Sequence, residues 1–217
     1  MFFSIDQFSF LKPLVENKHV LLEEYNNYKE LLRSNKDFAH LNKHLNNLET
    51  YNLFSSFVMC VFSKHKIGTG QVTNGLFNFS YFMPDRNFSS FKKFFEKKFP
   101  DLYYCADSTE NKKYFSKTLS LLESIETLTQ GGFSEYKDKC VFEPHVHEKD
   151  IFIFHVLLNP CTENTMNISC NGINSKLDNK NDYIIFRGGD LHDAIISSKT
   201  NVITFGLSFK TPKSLFS

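Results

Sequence analysis

Histidine is the residue type with the clearest chemical potential in this sequence, and four of the eight histidines lie in its second half. His145 and His147 are two residues apart in PHVHEKD, His155 lies in IFIFHVLLN, and His192 follows FRGGDL. Side chains two residues apart in a strand point to the same face, so His145 and His147 can direct two imidazoles at one point. Imidazole is a ligand for iron, zinc, copper and nickel. The spacing therefore predicts a metal site.

The sequence supports a metal-ligand role to different degrees for His192, His147 and His155. His192 is 47 residues after His145, enough chain for several strands that return to the first pair. His147 is open between a ligand role and a solvent-facing one. His155 lies inside an apolar run, where a histidine more often packs in a core.

The elements that must position these residues change character along the chain. From Phe10 to Leu32, apolar residues recur mostly three, four or seven positions apart, which predicts an amphipathic helix. Phe88 to Phe99 could form a second one. From about Lys117 onward, short β-type runs alternate with turn-forming segments, which is typical of a sandwich or a jelly roll. These runs are TLSLLESI, VFEPH, IFIFHVLLN, MNISC, DYIIF, HDAIIS and VITFGLSF.

We therefore expect an α+β protein in which N-terminal helices pack against a β-barrel-like half. Residues 1–110 are the predicted helical region and residues 111–217 the predicted metal-binding core, together forming one integrated domain. In the last strand, Ile203, Phe205, Leu207 and Phe209 alternate with a small face, which we expect to line the cavity. That face consists of Val202, Thr204, Gly206 and Ser208.

Composition narrows the classes of partner. The 217 residues carry a formal net charge of +1, so no global field draws the chain to nucleic acid or to an acidic membrane. No apolar run is long enough for a membrane-spanning helix, and the first residues lack a basic head, so we expect a soluble cytoplasmic protein. Five cysteines without a CxxC pair argue against a disulfide framework and a zinc knuckle. A small-molecule or peptide substrate is the expected partner.

A series of motifs in fixed order carries a family resemblance. They are Phe133-Ser134, Pro144-His145, His155-Val156-Leu157-Leu158, Asn171-Gly172, Tyr183-Ile184-Ile185-Phe186 and His192. In this order and spacing, Lys117 to Pro212 resembles the catalytic jelly roll of the aspartyl/asparaginyl β-hydroxylase family of iron(II)- and 2-oxoglutarate-dependent oxygenases. The resemblance implies a double-stranded β-helix that hydroxylates an amino acid, a peptide side chain or a small metabolite.

The resemblance also implies residue roles. His145 and His192 would be the iron(II) ligands, in a family that uses two histidines without a carboxylate. Ser134 would contact the carboxylate of the 2-oxoglutarate cosubstrate, and His155 would lie near that cosubstrate.

The sequence departs from the family at the arginines that hold the second carboxylate of 2-oxoglutarate. Asn201 and Val202 occupy one of these places and Ile153 the other, and the chain has only three arginines. A buried dicarboxylate needs a cationic partner. The candidates are Arg187, Lys149 and Lys199.

Two alternatives follow from these departures. If His147 is a third ligand, the site would be similar to that of three-histidine cupin dioxygenases, which need no 2-oxoglutarate. The glutamate that metal cupins carry downstream is absent, with Ile151 and Phe152 in its place. A non-catalytic jelly roll used as a binding module is the other alternative.

Overall fold

The fold is taken from a computed structural model that describes residues 1–34, 76–82, 115–137, 139–197, 200 and 202–210. No helix within these ranges is both long enough and apolar enough to cross a membrane. Nothing predicted for Phe88 to Phe99 is tested, because that segment lies outside the described residues.

The N-terminal helices form as the apolar spacing predicts. A 3₁₀ helix at Ile5–Leu11 leads into α1 (Lys12–Glu16) and α2 (Lys18–Ser34). Ser4 caps the first of these, since its hydroxyl accepts from the backbone N–H of Asp6 while its own N–H donates to the side chain of Gln7. One face of these helices is buried, with Leu11, Leu14, Leu21 and Tyr25 among its residues.

The described strands form two antiparallel sheets. The strands are β1 (Leu76–Phe82), β2 (Leu128–Lys137), β3 (Lys139–His145), β4 (Ile151–Leu157), β5 (Thr165–Cys170), β6 (Ile173–Leu177), β7 (Tyr183–Arg187), β8 (His192–Ser197) and β9 (Val202–Lys210). The larger sheet has the order β1-β2-β9-β4-β7 and the smaller the order β3-β8-β5-β6. Asn171 and Gly172 have positive φ angles in the tight turn that joins β5 to β6.

Side chains alternate between the two faces of each strand, so the apolar residues form two separate cores. The outward face of the larger sheet packs against the helices through aromatic residues such as Phe133, Phe152, Phe205 and Phe209. The inward faces of both sheets meet in a second cluster that includes Ile153, Leu157, Ile168, Phe186 and Ile196. This is a jelly roll with helices on one side, so the predicted α+β fold class is confirmed.

One predicted strand is wrong. Within TLSLLESI, the structure has a helix, α3 (Ser116–Glu123), which buries Thr118, Leu119 and Leu122 on one face. The carboxylate of Glu24 on α2 accepts from the backbone N–H groups of Lys117 and Thr118 at 2.9 Å and from the Thr118 hydroxyl at 2.7 Å. An acidic group at a helix N-terminus stabilises the helix, and this partner from α2 could not be seen in the local pattern.

Three of the described strands were not predicted from the apolar pattern of the sequence. β1 falls inside the region expected to be helical, and it pairs with β2 from Leu76↔Lys137 to Phe82↔Gly131. β2 itself has the composition LTQGGFSEYK, and β6 lies in a polar segment that was interpreted as a turn. β2 and β6 lack the apolar alternation that marks a strand in sequence. β1 has it, since Phe77, Phe79 and Tyr81 alternate with Asn78 and Ser80, but this segment was not recognised as a strand.

Candidate metal centre

The first two histidines of the cluster face each other across one strand pair. His145 is the last residue of β3 and His192 is the first residue of β8, and they are direct cross-strand partners. The register of this pair shifts between Phe142 and His145. Such an irregularity bends the strand and redirects its side chains, here at the end of the ladder that carries the two imidazoles.

The structure brings the third histidine to the same place. One side-chain nitrogen from each of His145, His147 and His192 lies within 4.8 Å of the others. Ring centroids are 4.3 Å apart for His145 and His192, and 5.1 Å apart for each pair that includes His147. Ligand nitrogens of a tetrahedral site with metal–nitrogen bonds of about 2.0–2.1 Å are about 3.3 Å apart. Small side-chain rotations therefore suffice to close the three imidazoles on one ion.

The hydrogen bond of His192 leaves a nitrogen available for a metal. Its Nδ1 lies 2.7 Å from the backbone carbonyl oxygen of Asp190. A carbonyl oxygen can only accept, so Nδ1 carries the proton and the lone pair is on Nε2. A histidine that donates its other N–H to a carbonyl is the usual arrangement of a metal ligand.

The protonation states also suit metal binding, which requires neutral imidazoles. The pKa of His147 is lowered to about 4, mainly by burial and in smaller part by the neighbouring His192 and His145. Burial also lowers the pKa of His192, against the opposing effect of its hydrogen bond to the Asp190 carbonyl. Both rings are therefore uncharged at neutral pH.

A glycine turn holds the loop that carries His147. The His147 N–H donates to the carbonyl of Gly188 at 2.7 Å, and the Gly188 N–H donates to the carbonyl of Ile151 at 2.8 Å. A Cβ atom on Gly189 would lie only 2.7 Å from the Cα of Lys149. The two backbones can approach this closely only because residue 189 has no side chain.

Polar side chains of the larger sheet point into the barrel interior beside this centre. Ser134 and Thr204 are cross-strand partners on β2 and β9, and His155 on β4 is paired with Gly206. The small face of β9 thus faces the interior, as predicted. Burial lowers the pKa of His155 to about 4, with His192 and His147 adding to the shift.

His155 does not join the three clustered histidines. Its ring is nearly parallel to Phe186, with centroids 6.4 Å apart, and Phe186 makes an edge contact with His192 at 4.9 Å. Phe186 therefore connects His155 to the metal centre. No role was predicted for Phe186 or for Gly188-Gly189. Paired glycines three and four residues before a candidate ligand are nevertheless a signal of close backbone approach.

Of the cations predicted to pair with the 2-oxoglutarate carboxylate, the two that the structure describes lie at the protein surface and not in the barrel interior. Arg187 is exposed, and its Nε donates to the carbonyl of Lys149 at 3.2 Å. It follows Phe186, which faces the interior, so its side chain is on the opposite face of β7. Lys149 is also exposed, and Lys199 lies outside the described residues.

Comparison with known proteins adds structural likenesses. No protein-family model and no curated protein matches the chain. A prolyl-4-hydroxylase from Pseudomonas putida is similar over 64% of this chain and 75% of its own, with 9% identity and a TM-score of 0.39. A Cupin_2 domain of an XRE family transcriptional regulator from Enterobacter cloacae is similar over 38% and 82%, with 16% identity and a TM-score of 0.32.

A third similar structure is KdgF from Halomonas sp., over 42% of this chain and 74% of its own, with 12% identity and a TM-score of 0.32. Membership of the aspartyl/asparaginyl β-hydroxylase family stays a prediction. The assignment of the metal centre depends on the chain's own three histidines.

Proposed function

We propose that this protein is an iron(II)-dependent oxygenase that acts on a small molecule or a peptide side chain. The observation that supports the proposal best is the convergence of His145, His147 and His192 at the end of the β3–β8 ladder. Imidazole suits several transition metals. Iron(II) would supply the activation of dioxygen when it is bound there.

The chain itself would position the metal and the substrate. The Asp190 carbonyl fixes the ring of His192, and the Gly188 carbonyl fixes the backbone of His147. Imidazole binds a metal in its uncharged form, so three imidazole ligands would leave the charge of a divalent ion uncompensated. This would favour a substrate with an anionic or strongly polar oxygen group beside the ion. Phe186 packs edge-on against His192 and covers one side of its ring.

Anaerobic titration with iron(II), followed by calorimetry and by the melting temperature, tests the metal centre. A ligand that binds only the folded protein must stabilise it. We expect iron(II) to raise the melting temperature of the wild type and of His19→Ala, whose histidine is exposed and remote in sequence, but not that of His192→Ala. Equal stabilisation of all three proteins would contradict the proposal.

Turnover is measured separately, as dioxygen consumption by the iron-loaded protein with a panel of amino acids, peptides and small carboxylic acids. Consumption that depends on a substrate and disappears in His192→Ala would support the oxygenase. Tight metal binding without consumption by any substrate would favour the alternative of a non-catalytic binding module.

A 2-oxoglutarate-dependent hydroxylase is the second candidate. The Ser134 hydroxyl, which the family resemblance assigns to the cosubstrate, is buried in the interior without a hydrogen-bond partner among the described residues. Succinate formation from 2-oxoglutarate that requires iron(II) and decreases in Ser134→Ala would support this candidate. Dioxygen consumption without 2-oxoglutarate would support the three-histidine oxygenase.

A further inference from the structure

Three buried polar atoms in the barrel interior lack a hydrogen-bond partner among the described residues. They are the Ser134 hydroxyl oxygen, Nδ1 of His155 and the Thr204 hydroxyl oxygen. The Ser134 and Thr204 residues are 1% and 0% exposed, so neither hydroxyl is satisfied at the protein surface. Buried polar groups are nearly always hydrogen-bonded, and each exception calls for a physical reason. We refer to these three side chains as the polar triad.

The polar triad occupies one patch of the interior. Ser134 and Thr204 are directly opposite each other on β2 and β9, where Cβ atoms are about 5 Å apart. His155 lies on the other side of β9, paired with Gly206, two residues from Thr204. A Cβ atom on Gly206 would be 2.7 Å from Nδ1 of His155, so the imidazole edge lies directly over the β9 backbone.

This patch adjoins the metal centre. The ring of His155 is nearly parallel to Phe186, and Phe186 contacts His192. One aromatic side chain therefore lies between the polar triad and the three clustered histidines. A ligand of modest length could contact both.

The charge of the patch restricts the ligand. On the three strands that carry the polar triad, the next interior-facing residues are Gly132, Tyr136, Val202, Gly206, Ile153 and Leu157, none of which is a cation. A carboxylate buried among hydroxyls and an imidazole would lack the ionic partner that offsets its lost hydration. An uncharged oxygen group is matched by two hydroxyls, which donate and accept, and by one imidazole nitrogen.

We propose that the polar triad binds an uncharged oxygen-bearing group, such as a carboxamide or an alcohol, at one end of a substrate whose other end reaches the metal. This inference rests on the proposed metal centre. It assigns Thr204 as a residue that determines specificity, and it predicts that a dicarboxylate is a poor ligand.

Two matched probes test the inference. N-oxalylglycine and N-oxalylglycinamide share a metal-chelating oxalyl head and differ only in a terminal carboxylate or carboxamide. Calorimetry on the manganese(II)-loaded protein should give about tenfold or more tighter binding of the carboxamide, because the carboxylate would be buried without a cation. Equal or tighter binding of N-oxalylglycine, or no binding of either compound, would overturn the inference.

Variants show whether the hydroxyl makes the contact. Thr204→Val keeps the shape of the side chain and should weaken binding of N-oxalylglycinamide by about fivefold or more, whereas Thr162→Val, at an exposed turn residue, should leave it unchanged. The melting temperature of Thr204→Val should stay the same or rise, because an unpaired hydroxyl is removed. A lower melting temperature or unchanged affinity would assign Thr204 a merely structural role and overturn the inference.

Manganese(II) binding is measured first, without a probe. Its absence would refute the metal centre and the inference together. Normal manganese(II) binding with the wrong probe preference would refute the inference alone.

Discussion

The pH dependence of stability is the sharpest prediction for the metal-free protein, and His155 is the residue that carries it. Burial lowers the pKa of this imidazole from 6.5 to about 4. In the unfolded chain the imidazole would titrate near 6.5. Between these two values the unfolded chain binds a proton that the folded protein excludes, so lowering the pH favours unfolding.

The magnitude follows from the two pKa values. The stabilising effect of keeping His155 neutral is fully present above pH 6.5, decreases as the pH falls, and is lost by about pH 4. At pH 5 the linkage relation gives a loss of about 2 kcal/mol for this one group. The limit below both pKa values is about 3.4 kcal/mol, since each pKa unit corresponds to about 1.36 kcal/mol.

Urea unfolding at pH 7 and pH 5 in the presence of a chelator measures this effect. The control is His155→Gln, which keeps a polar side chain at the position but does not titrate. The free energy of unfolding of the wild type should decrease by about 2 kcal/mol more than that of the variant over this range. Equal decreases in the two proteins would refute the reasoning, because every other titrating group is common to both.

Three further predictions concern the metal centre and the helices. His147→Ala should weaken iron(II) binding, measured by calorimetry, because it removes a ligand. The loss should exceed the roughly 10- to 100-fold that removal of a hydrogen-bond partner of a ligand costs. Unchanged affinity would favour a two-histidine site. Gly189→Ala should lower the free energy of unfolding in urea by about 1–3 kcal/mol, since its Cβ would lie 2.7 Å from the Cα of Lys149, and an unperturbed value would show that the loop yields easily. Glu24→Gln should lower the same quantity by about 1–2 kcal/mol, because a carboxamide has one acceptor oxygen where the carboxylate accepts three hydrogen bonds; equal stability of variant and wild type would contradict this.

Much of the site could be predicted from the sequence because its information is local. The two-residue spacing of His145 and His147 was visible directly, and the alternation of Val202 to Phe209 predicted which side chains line the interior. The pairing of His145 with His192 is long-range, and it was expected from their position at strand ends. Their approach, together with His147, to within 4.8 Å could be established only from the folded chain.

The elements that were missed have separate physical causes. β2 presents Gly132 and Ser134 to the interior, so the residues that make room for a ligand also weaken the apolar pattern of the strand. The helix α3 is only eight residues long, and a short apolar segment does not distinguish helix from strand. Its N-terminus is stabilised by Glu24, a residue of another helix that no local pattern reveals.

The pairing of His145 with His192 also has a consequence for how the chain folds and unfolds. Bringing these residues together closes a chain segment of 47 residues, at an entropic cost of roughly 3 kcal/mol. A metal ion held by both would act as a crosslink between β3 and β8. The ion would then resist separation of the two strands, so that loss of the metal and opening of the barrel would be coupled events.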